Sequence, residues 1–282
     1  MNGWKNPDAV VTTEWLAAHL DDPKVKIVDG SYHLPNVKRD GDAEYRAAHI
    51  PGAVRFDIDA VCDGKNPLPH MLPTADVFAI AAGALGISNG DRVVVYDTTG
   101  NFSAPRVWWM FRIMGHDNVA VLDGGLPQWQ AEGRKVTATL PAIRPAKFAA
   151  TLRPDMVRSL DQVRGTIDGK GELVVDVRAP GRFDGTVPEI RPGVRSGHIP
   201  AAVNLPYERV LDHGRFRSAA EIEAAAKAAG LAPGRRVITS CGSGVTACIV
   251  GLALHLTGRD DWAVYDGSWT EWGGRSDTPV AV

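Results

Sequence analysis

The 282-residue chain is short of several things at once. Its three cysteines, Cys62, Cys241 and Cys248, are odd in number and too few for a disulfide framework. Isolated thiols suit a reducing compartment, so a cytoplasmic protein is expected. The net charge is only −2 at pH 7, which gives no electrostatic reason to expect nucleic acid or an anionic membrane as partner. No apolar window approaches a transmembrane span. The start, Met1 to Pro7, lacks the basic and apolar stretches of a signal peptide. No Cys/His spacing matches a zinc site. No dinucleotide fingerprint occurs, and Gly242-Ser243-Gly244 has neither the lysine nor the spacing of a phosphate loop. No cofactor is expected. What remains, 44% hydrophobic and 23% charged, can bury proper cores.

The chain also repeats itself. Arg92-Val93-Val94-Val95-Tyr96-Asp97 and the residues to Ser103 align with Arg236 to Ala247 at a constant offset of 144. His49-Ile50-Pro51 recurs as His198-Ile199-Pro200, and Leu122-Asp123-Gly124-Gly125 as Tyr265-Asp266-Gly267-Ser268. Two copies in the same order indicate a duplicated domain rather than a solenoid. Domains are expected at 1–140 and 152–282, with a linker within Thr137–Pro154, where prolines break any periodic pattern. Short apolar strands (Val25–Asp29, Arg92–Tyr96, Asn118–Leu122, then Glu172–Asp176, Arg235–Ser240, Trp262–Tyr265) alternate with helical stretches (Ser103–Met114, Ala219–Ala229, Thr246–Leu256). That alternation predicts an α/β fold of two tandem domains, each a mainly parallel sheet covered by helices on both faces.

Cys241 ends one of these strands, and two glycines and a helix follow at once. A loop feeding a helix N-terminus aims several N–H groups and the positive end of the helix dipole at one spot. Such surroundings favour a nucleophilic thiolate. The alternative is a buried structural cysteine, for which so permissive a loop has no use. In the first copy the matching position is Asp97, which cannot do thiol chemistry. That loop has one glycine where the second has two, and Phe102 replaces Thr246, so its N–H array is expected to be malformed. His49, His198, Asp123 and Asp266 occur in both copies, and a fold role is expected for each. Cys248 is expected to be buried and inert, and Trp108 and Trp109 to be core. Cys62 is a candidate secondary redox site.

The duplicated frame, both His-Ile-Pro blocks and Cys241-Gly242-Ser243-Gly244-Val245-Thr246-Ala247 resemble the two-domain rhodanese-type sulfurtransferases over about Val10 to Trp272. The loop wording is similar to the mercaptopyruvate-using branch. Thiosulfate users carry basic residues after the cysteine, and the phosphatases that share the fold use a longer loop ending in arginine. The resemblance implies an enzyme in which Cys241 attacks the sulfur of a mercapto keto acid and becomes a persulfide. The loop residues Gly242, Ser243, Gly244, Val245 and Thr246 would then cradle the anionic sulfur.

It also implies that Arg182 and Arg191 bind the substrate carboxylate and carbonyl, a task suited to the planar arginine fork. Asp59 and His70, in a stretch also seen in mercaptopyruvate-type members, are implied to form a proton relay with Ser243. The implied acceptor is a thiol such as thioredoxin or a small thiol, or cyanide in vitro. Arg178 is expected in a structural ion pair and Arg195 on the surface. Thiosulfate:cyanide transfer, or a non-catalytic persulfide carrier, are the alternative functions.

Overall fold

The computed structural model describes residues 2–282, which divide into two compact units. One comprises residues 7–153 with 213–215; the other comprises 2–6, 154–212 and 216–282. The expected boundaries, 1–140 and 152–282, differ from this mainly at the N-terminus. Residues 2–6 join the second unit because they are hydrogen-bonded there. Lys5 N donates to Leu256 O at 2.8 Å, Ala219 N to Asn2 O at 2.8 Å, and Trp4 Nε1 to Arg217 O at 3.0 Å.

Each unit carries a five-stranded, all-parallel sheet. In the first, the order is Val10–Val11, Val119–Leu122, Arg92–Tyr96, Val25–Asp29, Val54–Arg55. In the second it is Val157–Arg158, Trp262–Tyr265, Val237–Ser240, Leu173–Asp176, Val203–Asn204. The long strands start within two residues of expectation, and the four two-residue edge strands are too short to show any period. Central strands are buried along their length, which is why they read as continuous apolar runs rather than alternating ones. The helix Ala104–Ile113 and its counterpart Ala247–Leu256 are both buried almost throughout. Trp108 and Trp109 are core residues with no exposed surface.

The recurring blocks have structural tasks. His49 pairs with Thr137 through two 2.9 Å backbone bonds, and His198 pairs with Ala281 in the same antiparallel way. Each histidine ring stacks on an aromatic neighbour, His49 on Tyr45 and His198 on Phe183. Every copy is therefore closed by its own C-terminal tail returning to the His-Ile-Pro segment.

Candidate active site

Cys241 follows the central strand Val237–Ser240, beyond the carboxyl ends of a parallel sheet where such folds bind ligands. The helix Ala247–Leu256 begins six residues later. Among the described residues, nothing accepts from the N–H groups of Ser243, Val245, Thr246 or Ala247. They are the open amides of a helix N-terminus and its leading turn, a ready anion cradle. Cys241 itself is 2% exposed.

The loop is held from behind. Trp269 N donates to Cys241 O at 3.0 Å, and Thr270 donates to Gly242 O through both its N–H and its hydroxyl, at 2.8 and 2.6 Å. Cys241 N donates to Ser268 Oγ at 3.1 Å, and that hydroxyl donates on to Tyr265 O at 2.7 Å. Ser268 does this from φ +48°, a left-handed conformation that a non-glycine residue adopts at a cost. The first copy has Gly125 there, at φ +57°.

The two loop glycines have different reasons. Gly244 sits at φ +80°, which calls for glycine, as does Gly100 at φ +84° in the first copy. Gly242 has no such conformation. A methyl group there would lie 3.2 Å from Arg182 Nη2 and 4.0 Å from Nη1, so Gly242 leaves room for a guanidinium against the loop.

Arg182 is part of a compact charge cluster. Glu189 Oε1 accepts from Arg178 Nη1 at 2.6 Å and from Arg182 Nε at 3.2 Å, and its Oε2 accepts from Arg182 Nη2 at 2.5 Å. Arg178 is fully buried, bonded also to both Asp176 oxygens and Gly197 O, and lies 4.6 Å over the Trp269 ring. Arg178 is thus the ion-paired scaffold, and Arg182 the half-buried arm against the cysteine loop. Arg191 is half-buried in the loop that follows Glu189.

Tyr207 joins the same neighbourhood. Its phenol is pushed up to about 12, first by burial and then by Glu208, and it lies near enough to Arg182 and Cys241 to feel both charges. It is a neutral hydroxyl throughout the physiological range.

In the first unit, His70 Nδ1 and Asp59 Oδ1 are 2.8 Å apart, so this pair forms within one domain. The His70 ring is buried edge-on to Tyr32, and Arg106 Nη2 donates to its carbonyl at 2.7 Å. Ser243, the third implied member, belongs to the other unit, where it is buried.

Two expectations are corrected, and the open candidate Cys62 is weakened. The first-copy loop is not malformed. Asp97 Oδ1 accepts from Thr99 N and Gly100 N, and Oδ2 from Ser103 N and Ala104 N, all four at 2.8 Å. At the offset of 144, those donors correspond to Ser243, Gly244, Ala247 and Cys248. Of these, Ser243 and Ala247 are among the open amides of the second copy, while Cys248 N is bonded to Val245 O at 3.2 Å; in the first copy the chain's own carboxylate fills the loop. Arg195 is not a surface residue but a brace, half-buried and donating to Gly273 O, Thr278 O, Trp272 O and Thr278 Oγ1 at 2.7–3.1 Å. Cys62 makes a poor redox site: burial and then Asp59, Asp57 and Asp63 raise its thiol pKa, and Sγ donates to Asp59 O. Cys248 is fully buried, its Sγ against Gly244 O.

Sequence reasoning missed Ser268, Thr270, Glu189 and Tyr207. For Ser268 the signal was present, since a serine stands where the first copy places glycine in an otherwise repeated block.

Comparison with known proteins agrees with this geometry. The model of the rhodanese-like domain matches residues 12–132 and again 159–275. A curated relative from Arabidopsis thaliana, "Thiosulfate/3-mercaptopyruvate sulfurtransferase 1, mitochondrial", is 42% identical over 97% of this chain and 78% of its own. The mouse 3-mercaptopyruvate sulfurtransferase is 42% identical over 94% of this chain and 91% of its own. The crystal structure of SseA from Escherichia coli, described among 3-mercaptopyruvate sulfotransferases, superposes with a TM-score of 0.85 at 37% identity. It covers 93% of this chain and 98% of that one.

Proposed function

The chain belongs to the family built from rhodanese-like domains and is a sulfurtransferase, and we propose that it moves the sulfur of 3-mercaptopyruvate through a persulfide on Cys241. The observation that carries this reading is the open N–H array around Cys241 with the Arg182 guanidinium beside it.

The Cys241 thiolate attacks the substrate sulfur. The S–S bond forms as the C–S bond breaks, and the electron pair leaves on carbon as the enolate of pyruvate. Cys241 is left as Cys–S–SH, and the enolate takes a proton to become pyruvate. A thiolate acceptor then attacks the outer sulfur, leaves as its own persulfide and restores the Cys241 thiolate; cyanide leaves as thiocyanate. The amides of Ser243, Val245, Thr246 and Ala247, with Gly244 shaping the turn and Gly242 leaving room for Arg182, supply preorganised donors for the anionic sulfur. Arg182 and Arg191 hold the keto acid's carboxylate and carbonyl.

Within the first unit, the Asp59–His70 pair is suited to proton traffic near neutral pH. The acceptor is a small thiol or a thioredoxin-like protein thiol in a reducing, cytoplasmic setting. All three cysteines being free fits that setting.

A second reading, thiosulfate as donor, draws support from the Arabidopsis relative's double name. Gly242 and Ser243 provide none of the cations that a dianion rewards. Steady-state turnover on both donors tests the assignment, with the mass of added sulfur mapped by peptide. Higher kcat/KM on mercaptopyruvate with the sulfur on Cys241 is expected. A preference for thiosulfate overturns the substrate assignment, and sulfur on another cysteine overturns the mechanism.

A further inference from the structure

We infer that Glu189 is a positioning residue for the donor, holding Arg182 side-on so that the end of its guanidinium faces the cysteine loop. The inference rests on the reading of Arg182 as the carboxylate-binding arm.

A guanidinium has two useful edges, the side formed by Nε with Nη2 and the end formed by Nη1 with Nη2. Glu189 occupies the side of Arg182, with Oε1 on Nε at 3.2 Å and Oε2 on Nη2 at 2.5 Å. The end, Nη1 and Nη2, is what lies closest to Gly242. A substrate carboxylate beside Cys241 therefore meets Arg182 end-on, with the side edge already spoken for.

Glu189 can impose this because it is itself fixed. Its side chain is 4% exposed and is gripped by Arg178, which is 1% exposed and anchored to Asp176, to Gly197 O and over Trp269. Trp269 in turn donates to Cys241 O. One continuous chain of contacts thus runs from the nucleophile's carbonyl through Trp269, Arg178 and Glu189 to Arg182 and back to Gly242. A long arginine on a short helix, Pro180–Phe183, would otherwise sample many rotamers, and its ordering would be charged to substrate binding.

The non-catalytic copy shows what the arrangement is for. Arg39 is held side-on by Glu44 through Nε and Nη2, at 2.6 and 2.9 Å, and its Nη2 also reaches Thr98 Oγ1 at 3.2 Å. At the offset of 144, Thr98 corresponds to Gly242. Where the loop is filled by Asp97, a threonine hydroxyl accepts a hydrogen bond from an arginine at that loop position. Where the cradle serves a nucleophile, that hydroxyl is replaced by glycine and the end of the arginine is left to the substrate.

The experiment is a double-mutant cycle on mercaptopyruvate kinetics with the full chain: Glu189→Gln, Arg182→Ala and the pair, each with its melting temperature. Arg178 keeps Asp176 in Glu189→Gln, so no buried cation is orphaned. The expected result is a KM raised about tenfold in Glu189→Gln with kcat changed by no more than about twofold, the pattern of lost ground-state binding. The double variant should be no worse than Arg182→Ala alone. A KM unchanged in Glu189→Gln, or effects that multiply in the double variant, overturns the inference while Arg182 keeps its role. A normal KM in Arg182→Ala sinks the reading of the arm itself. Should Glu189→Gln fail to fold, Arg182→Lys tests the same point, because it keeps the charge but cannot be held by its side edge. A KM raised nearly as far as in Arg182→Ala supports the inference; a KM near that of the wild type refutes it.

Discussion

Removing the charge of Asp97 should destabilise the first domain although its loop holds no nucleophile. Its carboxylate takes four N–H groups at 2.8 Å in a site with no solvent exposure. In Asp97→Asn the remaining oxygen keeps two donors, while the new amide turns its own N–H groups towards the other two. Each buried N–H left unpaired costs about 1–3 kcal/mol, so the loss is roughly 2–6 kcal/mol. Asp97→Ala leaves all four donors bare but opens space for a solute anion. Sulfate at a hundredfold excess over its Kd would restore about 2.7 kcal/mol. The assay is denaturant unfolding of the full chain with sulfate or chloride at equal ionic strength. Sulfate stabilises proteins generally, so the quantity of interest is the extra gain in Asp97→Ala over wild type. A loss below about 1 kcal/mol in both variants, or equal sulfate gains in Asp97→Ala and wild type, would refute the filled-cradle argument.

Other outcomes follow from the same geometry. Cys241→Ser should abolish transfer, whereas Cys62→Ser and Cys248→Ser keep most of it, as read by turnover and by the mass of added sulfur. Because burial and three aspartates raise the Cys62 thiol pKa, its thiolate fraction at neutral pH is below that of a free cysteine. Iodoacetamide labelling at Cys62 should therefore rise only in alkaline buffer; fast labelling at pH 7 contradicts the assignment. Gly242→Ala puts a methyl 3.2 Å from Arg182 Nη2 and should raise the mercaptopyruvate KM several-fold with little change in melting temperature; an unchanged KM means the arm lies elsewhere. Ser268→Gly relieves the positive φ and removes the bond to Cys241 N, whereas Ser268→Ala only removes the bond. Equal activity losses in the two would assign the effect to the hydroxyl, and a loss confined to alanine would assign it to backbone strain.

The sequence carried the frame of this molecule better than its interior. Central strands and their helices could be bounded closely, because burial on both faces writes a continuous apolar run ended by Asp97 or Cys241. The place of Cys241 at the end of such a run was legible for the same reason. Arg195 was not, because its fate is set by carbonyls of Trp272, Gly273 and Thr278 some 80 residues away in sequence. Counting glycines misjudged the first loop. Only the position of Gly100 and Gly244 demands a left-handed backbone, while Gly242 answers to a neighbouring side chain. Glu189 gave no local sign of its grip on two arginines, since only the folded loop brings Arg178 and Arg182 to one carboxylate.

The short N-terminal strap has a consequence for how the protein is made. Residues 2–6 are made before the first domain, yet their partners, Arg217, Ala219 and Leu256, are made only after it. The strap must stay unsatisfied while the first domain folds, then close a loop of about 250 residues. The entropic cost of that closure grows only with the logarithm of loop length, so the delay is affordable once the far end exists. Domains fold in order of synthesis, and here the second one is completed by a piece of chain made before the first. A nascent chain stalled before Leu256 would therefore carry a finished first domain and a loose N-terminal tail.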